Sequence, residues 1–235
     1  IRSLDYSLLY REVLFSDPEH GINQEELMKE VLPDIILLPG VGARSITWQE
    51  TSGPRTDTPA RILFPIFITG DLNDQMLLAM GRYRWEICRR VQGTYWNDYR
   101  VKSLTAEYYD YLQFYKKNKD LSADAKDKLK SALQHARNNF REVFVADYVN
   151  WIKYESQGSF RLNKLTRDIL VRYCPFSREV RTELNNNPLF QNAFNKLDLD
   201  NKKNLKRLQA VYRKYEDAGG TITPELTENM KFYQM

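Results

Sequence analysis

The 235-residue chain contains 42% hydrophobic and 13% aromatic residues, and its formal net charge is only +4. Intrinsic disorder requires few aromatic residues and a high net charge, so this composition excludes it. No stretch approaches the roughly 20 apolar residues that span a bilayer, which predicts a soluble cytoplasmic protein without a membrane partner. Cys88 and Cys174 fit reduced thiols. The chain starts at Ile1 without a signal peptide, so we expect a fragment of a longer protein.

The first residues of the chain carry two helical patterns. Leucines and a valine between residues 4 and 14 predict a short helix. Asn23 is a favoured N-cap residue, and it predicts a second helix over residues 24–31. Pro33 then ends that helix.

Two apolar runs follow. Ile35–Leu38 is continuous and is closed by a Pro-Gly pair, which predicts a buried strand or extended segment. The second run, residues 62–69, is interrupted by Pro65, which restricts it to an edge strand. The two runs are expected to pair into a small sheet.

From residue 71 onward the pattern is helical. Met76, Met80, Tyr83, Ile87 and Val91 recur at steps of four, three, four and four, which predicts a central helix over residues 72–91. The fold class is therefore mainly α, a multi-helix domain with a small β element in the N-terminal third. One domain over residues 1–235 is expected, with a weak sub-boundary near 158. Further helices are predicted over 104–118, from Ser122 to about Trp151, and over 161–173, 177–184, 189–196 and 201–217, with a last one capped by Thr223.

The usual residues of catalysis are scarce. The only histidines, His20 and His135, lie far apart in sequence, and no His or Cys spacing fits a zinc site. The segment Pro39–Arg44 lacks the Gly-Lys-Ser/Thr ending of a phosphate-binding loop. The sequence predicts no metal and no cofactor. It leaves open whether the protein is an enzyme, and it favours a protein that is not one.

Two carboxylates are candidate catalytic residues. Asp147 shares a helix face with several aromatic residues, and a carboxylate there is costly unless it is paired. The structural interpretation is an ion pair with an arginine of the helix 72–91, and the functional one is an acid with a raised pKa in a cleft. Glu86 lies three or four positions from Arg82, Arg89 and Arg90, which fits helix-stabilising pairs. A two-carboxylate acid/base site arises only if Glu86 and Asp147 converge.

Two groups are candidate binding residues. Loops often carry binding residues, and the first group lies around the turn-rich loop at 51–59. The alternative role for Trp48 is to anchor this loop to the helical body. Residues 159–215 contain thirteen Lys or Arg against five Asp or Glu, which gives them a net charge of +8. A basic face attracts phosphate groups. The alternative interpretation is that these charged residues form only the solvent-exposed side of a helix. The loop group is Arg44, Trp48, Glu50, Arg55 and Arg61, and the basic face is Lys202, Lys203, Lys206, Arg207, Arg213 and Lys214.

Several short motifs carry a family resemblance. Residues 37–44, Trp48–Glu50, Asn163–Leu165 and Tyr173–Phe176 resemble a helical region found in large uncharacterised bacterial proteins, some of which also carry a cyclic-nucleotide-binding module. The resemblance implies an accessory or output region and carries no catalytic role.

Three functions are open at this point. The first is a non-enzymatic interaction or regulatory domain of a multidomain bacterial protein, which binds other domains of its parent chain or a protein partner. The second is an enzyme with an acid/base carboxylate site in a helical cleft. The third is nucleic-acid or anion binding through the basic segment 161–214.

Overall fold

The computed structural model describes residues 1–42, 45–48 and 60–235. Within these residues the chain forms eight α-helices and five β-strands, and every strand lies before residue 69. The expected fold class, mainly α with a small β element in the N-terminal third, is confirmed. The strands are β1 (Tyr10–Asp17), β2 (Ile22–Glu30), β3 (Asp34–Gly42), β4 (Ile46–Trp48) and β5 (Arg61–Ile68). The helices are α1 (Leu72–Gln92), α2 (Leu104–Phe114), α3 (Ala123–His135), α4 (Phe140–Lys153), α5 (Lys164–Tyr173), α6 (Arg178–Leu184), α7 (Pro188–Asp217) and α8 (Pro224–Phe232).

The first two strands form an antiparallel hairpin where the sequence predicts helices. β1 and β2 pair from Tyr10 opposite Glu30, around a short turn that closes at Gly21 with a φ of 90°. The helices predicted over residues 4–14 and 24–31 are therefore wrong. Side chains of β1 alternate between exposed and partly buried, so one face of the hairpin packs against the body, and this packing outweighs helix propensity.

The other strands form a three-stranded sheet in the order β3–β5–β4. β3 and β5 are parallel, with Ile35 beside Ile62, which confirms the expected pairing of the two apolar runs. β4 joins the other side of β5, so β5 is central and its predicted edge position is wrong. Pro65 lies opposite Leu38, where the register between the strands shifts. Its missing N–H therefore falls at an irregular step of the ladder.

α1 is the central helix of the fold and begins and ends close to the predicted residues. The Asp71 side chain accepts a hydrogen bond from the backbone N–H of Asp74, and Gly93 ends the helix. α1 packs along α4, and Gly81 permits the close approach because a Cβ there would lie 3.2 Å from Tyr148 Cδ1. The apolar stripe read from the sequence thus faces the main core.

The long helix predicted from Ser122 to Trp151 is two helices. Ser122 does cap α3. Arg137 and Asn138 adopt φ values of 52° and 58°, and these left-handed conformations end the helical segment before α4 begins. One straight helix over this span would measure roughly 43 Å, so its far end would leave the core. The turn brings Trp151 and the other aromatic residues of α4 back against α1.

α7 runs through the point where the sequence predicts an interruption between residues 196 and 201. It is one helix of 30 residues, begun by Asn187 as N-cap and Pro188 in its first turn. The predicted break is wrong because the polar stretch Asp198–Asn201 contains neither Gly nor Pro, and such residues do not by themselves end a helix.

Three apolar clusters hold these elements together. The main core contains residues on both sides of Gly158, including Trp151 and Phe190. The β1–β2 hairpin, the C-terminal half of α7 and α8 enclose a second core around Leu208 and Tyr212, and a small third cluster surrounds Phe232. None of the helices in the described part of the chain is long and apolar enough to cross a membrane.

Candidate functional site

Asp147 is held by a tyrosine rather than by an arginine. It is partly buried on α4 and accepts a hydrogen bond from the hydroxyl of Tyr108 on α2. Burial raises the pKa of its carboxyl to about 6, the charge of Glu155 adds to the rise, and the Tyr108 hydrogen bond opposes it. The expected arginine partner is not found among the described residues.

Glu86 is buried, with 5% of its surface exposed, and is neutralised by two arginines. Arg141 of α4 lies 2.8 Å from its carboxylate and Arg89 lies 3.2 Å away. Arg82 instead binds Glu142, at 2.9 Å. Glu86 and Asp147 therefore have separate sets of partners in the structure, and this arrangement gives no support to a two-carboxylate acid/base site. No cluster of three or more His, Cys, Asp or Glu residues that would hold a metal occurs in the part of the chain that the structure describes.

The ionisation of Asp147 yields a testable pH dependence. Because its pKa is raised in the folded state, the protonated form stabilises the fold at low pH, and stability falls as pH rises from about 4 to 6. Asp147→Asn keeps an acceptor for Tyr108 and cannot ionise. We expect the variant to be more stable than wild type at pH 7 by on the order of 2 kcal/mol and to match it at pH 4.

Urea unfolding of both proteins between pH 4 and 7 measures this difference. Asp124→Asn, at an exposed position on α3, is the control and should differ from wild type by the same amount at each pH. An equal effect of Asp147→Asn at pH 4 and pH 7 would contradict the raised pKa.

Two fully buried carboxylates were not anticipated from the sequence. Glu155 binds Arg167 at 2.7 Å and accepts hydrogen bonds from the backbone N–H groups of residues 161 and 162. Asp5 accepts hydrogen bonds from Ser7 and from the Tyr148 hydroxyl, the latter at 2.9 Å. Burial raises the pKa of Asp5. The Glu155–Arg167 and Asp5–Tyr148 contacts join residues that are 12 and 143 positions apart. No local sequence pattern therefore identifies these two buried carboxylates.

Two of the five loop candidates lie within the described residues. Arg44, Glu50 and Arg55 lie outside the described residues. The backbone of Trp48 pairs with that of Arg61 between β4 and β5, and Arg61 is partly exposed. The two described members of the group are thus neighbours on the small sheet.

Eight of the exposed large apolar residues lie on this same sheet. The run Ile35–Leu38 is part of a strand, as the sequence predicts, but all four residues are exposed, so the prediction that this strand is buried is wrong. Residues of β5 and β4 extend the surface beside the run. We call it the β3 surface: Ile35 (55% exposed), Ile36 (39%), Leu37 (62%), Leu38 (41%), Val41 (71%), Ile46 (59%), Ile66 (51%) and Phe67 (66%).

The basic face of α7 is exposed and is partly engaged within the fold. Arg207 makes two hydrogen bonds to Glu25 of β2, of 2.9 and 2.5 Å, and so ties α7 to the hairpin. Lys203 lies 3.9 Å from Asp200. The structure describes no ion pair for the other four residues of this face, Lys202, Lys206, Arg213 and Lys214, which are exposed.

A cleft of about 700 Å³ lies between the main core and the second core. Its walls come from α5, the middle of α7, the C-terminal end of the chain and the N-terminal turn, and Arg84 of α1 also lines it. We call it the α7 cleft. It brings together Lys164 and Lys196 of the basic segment, but none of the six residues of the candidate basic face lines it.

Comparison with known proteins gives a family for the chain but no chemistry. The chain belongs to the family described as "Domain of unknown function (DUF8509)", which matches residues 93–233. No curated protein and no solved structure matches the chain. The matched region covers α2 to α8, and therefore most of the α7 cleft but not the β3 surface.

Proposed function

We propose that this chain is a non-enzymatic protein-interaction domain and that the β3 surface is its docking site. The observation that carries the proposal is a continuous apolar run exposed on a strand, Ile35–Leu38 of β3. Single exposed apolar residues are normal, but eight large apolar side chains exposed on one small sheet indicate an interaction site.

The geometry of β3 defines the kind of partner. Within the described residues β3 pairs only with β5, so the backbone groups along its other edge are free for strand addition. Parallel pairs such as β3–β5 occur in sheets that are covered on both faces, and their strands lack polar alternation. The run Ile35–Leu38 has this pattern. The partner is therefore a polypeptide that adds an apolar strand along β3 and whose neighbouring elements pack over both faces of the sheet.

A second copy of this chain satisfies these demands less well. Two β3 strands paired edge to edge would extend the sheet, but they would leave the apolar side chains of both faces in water. In keeping with the resemblance of residues 37–44, we expect the strand to come from another domain of a multidomain, cytoplasmic bacterial parent protein.

Site-specific cross-linking tests the proposal. A photo-reactive amino acid at position 37 of the parent protein, in its native cells, should give one discrete adduct that maps to an apolar strand. The same amino acid at Leu199, which is 57% exposed on α7, is the control and should give none. An adduct from position 37 that is no stronger than from position 199 would refute the docking site.

Charge on the β3 surface gives a second readout. Ile35→Lys/Val41→Lys should abolish the adduct from position 37, because two charges cannot be buried beside an apolar strand without a large penalty. Both positions are exposed, so the free energy of unfolding should change by less than about 0.5 kcal/mol per substitution. Urea unfolding checks that the domain remains folded, and an adduct that survives in a folded variant contradicts the proposal.

A further inference from the structure

α7 crosses the α7 cleft with polar residues at positions that face inward. Its core-facing residues follow helical steps of three or four, from Phe190 and Phe194 in the main core to Leu208 and Tyr212 in the second core. Between them the same stripe passes through Leu197, Asn201 and Asn204, which line the cleft. Two asparagines thus stand where apolar residues would join the two cores. Buried polar groups are usually hydrogen-bonded, and Asn201 already forms a hydrogen bond with the Tyr6 hydroxyl, so a ligand would use the remaining amide groups of the two asparagines.

The cleft also contains a buried arginine with an unused donor. Arg84 is 7% exposed, and its guanidinium donates to the carbonyl of Tyr10 at 3.2 Å and to that of Tyr173 at 2.6 Å. Its Nε is buried and has no hydrogen-bond partner among the described residues. The carboxyl group of Asp5 lies close enough to Arg84 for the guanidinium charge to oppose the rise in pKa that burial causes, so Asp5 balances part of the charge of Arg84. The Nε–H is too deeply buried for a ligand in the cleft to reach it, so Arg84 contributes positive charge to the cleft rather than a hydrogen bond.

Further cations lie on the wall formed by α5 and α7. Arg172 is engaged with Glu107 at 2.5 Å. Lys164 and Lys196 make no direct ion pair in the part of the chain that the structure describes, and both lie close enough to Asp168 for their charges to oppose the rise that burial causes in the pKa of its carboxyl. Three carboxylates, Glu12, Asp168 and Asp200, also line the cleft. They disfavour a highly charged anion, so a ligand with one anionic group fits best.

We propose that the α7 cleft binds a small metabolite that carries one phosphate or carboxylate group. Lys164 and Lys196 receive the anionic group, and Asn201 and Asn204 bind polar atoms of the remainder. Phe232 and Tyr233 provide an apolar wall. A volume of about 700 Å³ lies in the range of small-molecule sites. The site is independent of the β3 surface, and either proposal can fail without the other.

Thermal unfolding with simple anions tests the site. Inorganic phosphate and acetate are titrated separately, with chloride used to match the ionic strength. A ligand that binds only the folded state raises Tm with its concentration. We expect a saturable rise with phosphate or with acetate, and the arm that responds at the lower concentration distinguishes the phosphate from the carboxylate. If neither anion gives a saturable rise, the proposal is wrong.

Two double variants locate the binding. Lys164→Ala/Lys196→Ala should weaken the responding anion at least about tenfold, since it loses two charge-assisted contacts. Lys202→Ala/Lys203→Ala removes the same charge from the exposed face of α7 and should leave the affinity unchanged. Equal losses in the two variants would show general electrostatic attraction and would overturn the proposal.

A third variant separates binding from folding. Asn201→Leu/Asn204→Leu extends the apolar stripe of α7 across the cleft. It should raise Tm without ligand, because polar residues kept for binding often cost stability, and it should abolish the response to the anion. A variant that responds to the anion as wild type does would place the site elsewhere and overturn the proposal.

Discussion

Replacing Arg167 with methionine is expected to lower the free energy of unfolding by about 3–5 kcal/mol. The carboxylate of Glu155 is fully buried, and its two oxygens lie 2.7 and 3.2 Å from the guanidinium of Arg167. The variant would leave that charge in the interior with only two backbone N–H donors. The large loss reflects the unpaired charge that remains, not the net contribution of the intact pair.

The matched comparison is Arg172→Met. Arg172 binds Glu107 at 2.5 Å, but 47% of its side chain is exposed, so water can solvate the remaining carboxylate. We expect a loss below about 1 kcal/mol there. Urea unfolding at pH 7 measures both variants.

A double variant identifies the cause. Glu155→Gln/Arg167→Met removes both charges and should regain part of the stability that Arg167→Met loses. If the double variant were less stable than Arg167→Met, the buried carboxylate would not be the source of the loss.

Sequence periodicity predicted the elements whose determinants are local. α1 was correct at both ends because its stripe, its cap and Gly93 all lie within the helix and its flanks. The caps Ser122 and Thr223 were correct for the same reason. The break between α3 and α4 was missed because it contains neither Gly nor Pro and because Arg137, unlike Asn138, is of a type that rarely adopts a positive φ.

The errors in the β region have a different cause. The pattern of residues 4–14 is compatible with a helix, and only pairing with β2 selects the strand. The exposure of Ile35–Leu38 could not be predicted either, because the run has the pattern of a strand buried on both faces. The difference between that pattern and the structure is itself the evidence for a docking site.

The candidate site depended on contacts between distant residues. Tyr108 and Asp147 are 39 positions apart, and Glu86 and Arg141 are 55 apart. Neither pair follows a helical repeat, so the sequence suggested only the nearby arginines of α1. The polar stretch of α7 was interpreted as a break because polar residues interrupt the apolar stripe of the helix there. The sequence does not show that this part of the stripe faces a cleft, whose other wall comes from α5, instead of an apolar core.

Trp151→Ala is expected to destabilise the fold by about 3–5 kcal/mol. Trp151 is fully buried at the end of α4 and stacks on Phe176, with ring centroids 3.9 Å apart and planes within 7°. Its indole N–H donates to the carbonyl of Cys174 at 2.8 Å. The segment that it contacts also forms the bridge between Phe176 and Asp5. The indole therefore joins α4 to the N-terminal turn as well as filling the main core.

Trp151→Phe separates these two contributions. Phenylalanine keeps a ring against Phe176 but loses the hydrogen bond to Cys174, so we expect a loss of about 1–3 kcal/mol, clearly below that of alanine. Urea unfolding followed by circular dichroism suits both variants, since the tryptophan signal itself changes. If Trp151→Phe were as damaging as Trp151→Ala, the hydrogen bond and not the ring would dominate. The N-terminal turn would then depend on the Cys174 carbonyl more than on stacking.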